Sequence, residues 1–166
     1  MKKNIIFALK LTPNFILASI LTFMSLPISL AIKNNLSVVF TSIMPIILLY
    51  FLVYKSVWLE GFRSPNRIKL GQEIYFKYKG LVVGVFVIVP SLIFLLIYIL
   101  TKSLIFAIPF YILNFNLFPL NTIFPNTYYI LYFIIILFIP IISTIAYHLG
   151  FKRIELLKNI MYKKTK

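Results

Sequence analysis

Apolar residues along this chain come in four long runs, at 14–32, 36–54, 81–101 and 128–148, with no Asp, Glu, Lys or Arg inside any of them. Each run comes close to the roughly 20 helical residues that cross a hydrocarbon core about 30 Å thick. The pattern predicts an all-α fold, a polytopic integral membrane protein built as a four-transmembrane-helix bundle, with residues 1–166 forming a single membrane domain. Thr12-Pro13 suits the start of the first helix as N-cap and first helical residue, which leaves Lys10 outside it. The intervening segments are a loop at 55–80, an outer apolar loop at 102–127 and a basic tail at 149–166.

Charge gives the spans a direction. Fifteen of the 17 Lys and Arg residues fall before the first span, between the second and third, or after the fourth; only Lys33 and Lys102 lie on the other side. Basic loops stay in the cytoplasm, so the N-terminus, the C-terminus and the central loop are expected there, in a multi-pass protein of the cell membrane. A second reading of the N-terminus stays open. Met1-Lys2-Lys3, the apolar run from Phe15 to Leu26 and Ser29-Leu30-Ala31 have the parts of a cleaved signal peptide. Cleavage would leave three spans and an outside N-terminus.

Prolines and small residues punctuate the spans. Pro27, Pro45, Pro90 and Pro140 place one proline in each and should bend the helices. The halves share short patterns: Met44-Pro45-Ile46-Ile47 with Ile139-Pro140-Ile141-Ile142, and Gly61-Phe62-Arg63 with Gly150-Phe151-Lys152. Small residues let helices approach closely in lipid. The packing positions expected on that ground are Ala18, Thr22, Ser25 and Ser29 on the first helix, with Gly80, Gly84 and Ser91 on the third. In the central loop, Ser64-Pro65-Asn66 reads as a turn. The stretch around Gly71-Gln72 reads as a short hairpin or as a helix from Gln72 into the third span.

The outer loop has no charge from Ser103 to Thr127, yet holds Phe106, Phe110, Tyr111, Phe115, Phe118 and Phe124. It is expected to form an ordered apolar cap of short helices broken near Pro109 and Pro119 and lying roughly parallel to the membrane. Phe110, Tyr111 and Phe118 are its candidate contacts for a lipid or a partner. The tail from Leu149 places Leu157, Ile160 and Met161 on one side of a basic helix suited to anionic lipid.

Composition narrows the chemistry. Apolar residues make up 61% and charged ones 12%, against about 45–50% and 25% in soluble domains. The acids are Glu60, Glu73 and Glu155; there is no Asp, no Cys, and His148 is the single histidine. Disulfides and Cys-ligated metals are excluded, and no Walker A, HExxH or GxSxG motif occurs. No catalytic residue, metal or cofactor is expected. Glu60 and Glu73 read as salt partners of nearby Arg63 and Lys77. The basic tail lacks any nucleic-acid-binding module, so nucleic acid is not an expected partner. The expected partners are membrane lipids, anionic on the cytoplasmic side, and a membrane protein.

The run Gly61-Phe62-Arg63-Ser64-Pro65-Asn66-Arg67, then Lys79-Gly80-Leu81-Val82-Val83-Gly84, Val89-Pro90 and Tyr147-His148-Leu149-Gly150-Phe151-Lys152, resembles uncharacterised small four-span membrane proteins of low-GC Gram-positive bacteria. Ser64 stands where that family carries an acid. The resemblance implies the four-span topology and no named activity. Abundant packing surface without a convergent polar site points to a non-enzymatic integral membrane subunit or accessory protein. The alternative is a small transporter, pore or holin-like protein, with Thr22, Ser25, Ser29, Thr41, Ser42, Ser91, Ser143 and Thr144 lining a polar seam.

Overall fold

A computed structural model describes residues 2–32, 35–124 and 127–154. The expected tail helix with Leu157, Ile160 and Met161, and Glu155, lie outside these residues, as do the side chains of Ser29 and Ser42. All regular structure among the described residues is helical: α1 Lys2–Leu9, α2 Thr12–Ile32, α3 Asn35–Lys69, α4 Lys79–Thr101, α5 Leu104–Asn114, α6 Leu120–Ile123 and α7 Tyr128–Phe151. A 3-10 turn at Phe115–Leu117 joins α5 to α6. Four helices are long and apolar enough to cross a membrane.

The bundle exposes large apolar side chains along its long helices and buries several polar ones within a mainly apolar core. Thr22, Ser64, Ser91, Asn114, Asn116 and Ser143 are buried, whereas Phe23, Phe40, Ile47, Ile93, Leu96, Phe133, Phe138 and Ile145 are exposed along the long helices. A water-soluble bundle would instead carry polar residues on those outer faces, because they gain by facing water. The ends differ too. Lys10, Lys77, Lys152 and Arg153 lie at one, here the basic end, and the α5–α6 segment enters from the other, the apolar end.

Close approach to α7 organises the bundle. A Cβ on Gly84 would stand 2.6 Å from Pro140 Cα, and one on Gly80 would stand 2.6 Å from the Ser143 carbonyl oxygen. The GxxxG face of α4 therefore lies backbone to backbone on α7. The two Gly-Phe-basic triplets face each other across α3 and α7. A Cβ on Gly61 would strike the Tyr147 carbonyl, and one on Gly150 would strike that of Trp58. Ala18 and Thr22 are buried on α2 and Ser25 is half-buried. Thr22 and Ser25 donate to their own helix, at Ala18 O (3.0 Å) and Thr22 O (3.3 Å).

Two expectations from the sequence need correction. First, Ser64-Pro65-Asn66 is not a turn, because α3 continues through Pro65 to Lys69. Proline removes one N–H and frees the carbonyl four residues back, here that of Gly61. Contacts around it hold the helix: Tyr147 donates to Ser64 Oγ at 3.2 Å, and Arg153 donates to Asn66 Oδ1 at 3.1 Å. Second, Gly71-Gln72 forms neither a hairpin nor a helix start. Gly71 has φ +68° and caps α3, with Gln72 N–H bonded to Arg67 O and Gly71 N–H to Ile68 O. That is a Schellman ending, which favours glycine. The first long helix, α2, begins at Thr12 with Lys10 outside it, and a further helix, α1, precedes it and packs on α4. Lys10 is exposed at the kink between α1 and α2.

The outer segment also departs from expectation. Pro109 lies inside α5 rather than ending it; the break expected near Pro119 is present, at Phe118-Pro119, and a 3-10 turn at Phe115–Leu117 adds another. Lys102 takes φ 52° and reverses the chain. The 11 residues of α5 then run back about 16 Å at 1.5 Å per residue. Asn114 Nδ2 donates to Ser91 Oγ at 2.9 Å, near the middle of α4. Ser19 Oγ donates to Leu113 O at 3.1 Å and accepts from Phe115 N–H at 3.0 Å. The segment is a hairpin that re-enters the bundle to mid-height, not a layer lying flat across its end.

Candidate functional site

At the basic end, α3, the 70–78 turn and α4 bring the two described carboxylates onto one lysine. Lys79 begins α4 and is only 4% exposed. Its Nζ donates to Glu60 Oε1 at 2.8 Å and Glu73 Oε1 at 2.5 Å, and lies 3.5 Å from Ser64 Oγ. Arg67, two turns along α3 from Glu60, donates to the same Glu60 oxygen at 2.6 Å. The Lys79 ammonium also sits 5.7 Å from the centre of the Tyr147 ring. A buried ammonium is costly unless paired and hydrogen-bonded, and two carboxylates meet that need. The expected pairs with Arg63 and Lys77 do not form among the described residues. Arg63 is exposed, and Glu73 sits in a turn, where the helical four-residue neighbour relation does not exist.

A cavity of about 300 Å³ opens over this cluster. Its walls carry Glu60, Arg67, Gln72, Glu73 and Lys79, roofed by Asn4, Ile6, Phe7 and Lys10 of α1 and the kink. The sequence marks Glu60 and Glu73 as two of three acids, but no local pattern marks α1 as the roof over them.

A second polar cluster lies at the hairpin tip. Asn114 is tied to Ser91 and to Phe110 O, while Asn116 is fully buried and neither of its side-chain polar atoms has a hydrogen-bond partner among the described residues. Tyr54 Oη and Ser143 Oγ are likewise buried and unpaired. Nearer the apolar end, Tyr132 donates to Asn121 Oδ1, and Asn121 Nδ2 approaches Tyr111 Oη at 3.4 Å.

Phe110 is fully buried, with its ring 5.7 Å from that of Tyr132, so it serves the interior rather than an outward contact. Tyr111 and Phe118 are half-buried and stack edge-on at 5.6 Å. Ser91 receives the hairpin rather than a neighbouring long helix. His148 is half-buried beside Tyr147. Among the described residues no three His, Cys, Asp or Glu side chains converge as a metal site.

Two apolar furrows flank α2. One, about 460 Å³, lies between α2 and α3 and is lined by Leu21, Ser25, Phe40, Met44, Pro45 and Phe51 among others. The other, about 520 Å³, lies between α2 and α5 and includes Ile16, Phe23, Ile108, Tyr111 and Phe115. The chain matches no protein-family model, no curated protein and no solved structure.

Proposed function

We propose that this protein is a non-enzymatic integral membrane subunit or accessory protein of the cell membrane, acting through helix packing and through contacts with lipid or a membrane partner. The observation that carries the reading is the outer face of the long helices, where Ile, Leu and Phe side chains are exposed while Thr22, Ser64, Ser91 and Ser143 are buried. Exposed apolar surface on that scale is stable only against lipid or another apolar surface. The furrows on either side of α2 are where an acyl chain or a partner helix would lie. The skew of basic residues to one end supports a cytoplasmic location for both termini and the central segment. The resemblance to small four-span proteins of low-GC Gram-positive bacteria agrees with that topology.

Recovery of a reproducible partner or bound lipid in mild detergent, identified by mass spectrometry, tests this reading. Purification of the protein alone, free of both, would contradict it. One observation favours a second reading as a small transporter or pore. Irregular backbone at membrane depth is tolerated where it is buried in protein or lines a cavity, and paired polar sites at mid-height typify transporters. The hairpin tip with Asn116 has that character. Flux of ions or small solutes through reconstituted vesicles, lost in Asn116→Leu, would decide for it; sealed vesicles would decide against.

A further inference from the structure

We infer that the cavity over Lys79 is a phosphate site that holds the headgroup of an anionic phospholipid from the leaflet at the basic end. The inference rests on the membrane reading above and goes beyond it by naming the ligand and the groups that grip it. The cavity walls hold three cations, Lys10, Arg67 and Lys79, against two anions, Glu60 and Glu73. Both anions are turned to Lys79, and Glu60 also accepts from Arg67. Lys79 and Arg67 together balance the two carboxylates, so the cavity keeps a net charge of +1. That excess charge is Lys10, which has no ion pair among the described residues, while Arg67, with its side chain 40% exposed and one N–H on Glu60, still presents donors to the cavity.

A guanidinium carries five N–H donors in a planar fork that matches phosphate oxygens. With one donor anchored on Glu60, the group is fixed in place while its others remain available. Lys10 supplies a second positive charge from the opposite wall, and the Asn4 amide lies on the same roof.

The mouth selects a lipid over a free ion. Ile6 is 45% exposed where it lines the cavity, and Leu9 is exposed beside it on α1. A headgroup in the cavity can lead its chains onto this apolar surface, whereas inorganic phosphate gains nothing there. The volume of about 300 Å³ stands at the small end of ligand cavities, suited to a headgroup and too small for a whole lipid.

The test uses the full-length protein in mild detergent, incubated with dioleoyl phosphatidylglycerol or with dioleoylglycerol, which has the same chains and no phosphate. Native mass spectrometry reads retained adducts. Phosphatidylglycerol should be retained well above dioleoylglycerol, and K10Q should cut its retention roughly tenfold, the scale of one lost charge-assisted hydrogen bond. R67Q should do the same, and K55Q, at an exposed cation on α3 outside the cavity lining, should leave retention unchanged. Lys10 makes no ion pair among the described residues, so K10Q reports on binding without disturbing the cluster. Equal retention by wild type, K10Q and K55Q would overturn the site. Displacement of the lipid by millimolar inorganic phosphate would overturn the lipid assignment in favour of a free-phosphate site. Equal retention of both lipids would show annular lipid only, which refutes this inference and leaves the membrane reading standing.

Discussion

Replacing Gly84 with alanine tests the packing of α4 on α7 with a single added carbon. The new Cβ would lie 2.6 Å from Pro140 Cα, 3.0 Å from Ser143 Cβ and 3.1 Å from Ser143 Oγ. Ordinary contact begins near 3.4 Å, so the nearest approach is at least 0.8 Å too short. That nearest atom belongs to the backbone and cannot rotate away, so α7 has to shift along a face where Gly80 also fixes the distance. Overpacking of this kind costs about 1–3 kcal/mol, which is about 5- to 150-fold in the unfolding equilibrium. The control is Val85→Ala, one residue along and exposed on the outer face, where a surface change stays within about 0.5 kcal/mol. Reversible unfolding in mixed micelles, followed by circular dichroism, measures both variants. Identical stabilities for Gly84→Ala and Val85→Ala would refute a backbone-to-backbone contact at this position.

Two further substitutions address the polar clusters. Lys79→Met leaves the buried Glu60 and the partly buried Glu73 without their shared cation and should cost about 3–5 kcal/mol in the same unfolding assay; a loss below about 1 kcal/mol would mean that the cluster is hydrated. Asn116→Leu removes two unpaired buried polar atoms and should be neutral or stabilise the fold, because an orphaned buried polar group costs about 1–3 kcal/mol. A marked destabilisation by Asn116→Leu would show that the amide has a partner.

The long helices are legible because an uncharged apolar run of that length has few other outcomes. What the chain does between them is less legible, for reasons that can be assigned. Pro65 is a breaker by local chemistry, and only Tyr147, Lys79 and Arg153, distant in sequence, keep α3 going past it. Gly71 is a visible helix-ending signal, with Arg67 and Lys69 in the preceding turn as a C-terminus prefers. It marks the end of α3 once the helix is allowed to run that far. The re-entrant hairpin depends on Asn114 meeting Ser91 and on Ser19 meeting the backbone near Phe115, pairings across 23 and 96 positions that no local pattern announces. Pro109 misleads in the same way, since α5 absorbs it. At the basic end, Glu60 and Glu73 stand out as rare acids, and their nearest cations offer the obvious partners. Lys79 takes their place because it is buried and its ammonium requires both carboxylates.

Accessibility of the two ends in living cells tests the central claim, a membrane-embedded bundle with its basic end in the cytoplasm. The chain has no cysteine, so single cysteines report without background. Ile74 is 89% exposed in the turn at the basic end, and Thr127 is exposed just before α7 at the apolar end. With a membrane-impermeant maleimide, Thr127→Cys should label in intact cells, and Ile74→Cys should label only after the membrane is permeabilised. Labelling of Ile74→Cys in sealed cells, with Thr127→Cys protected, would reverse the orientation, and equal labelling of both would contradict a membrane-spanning bundle.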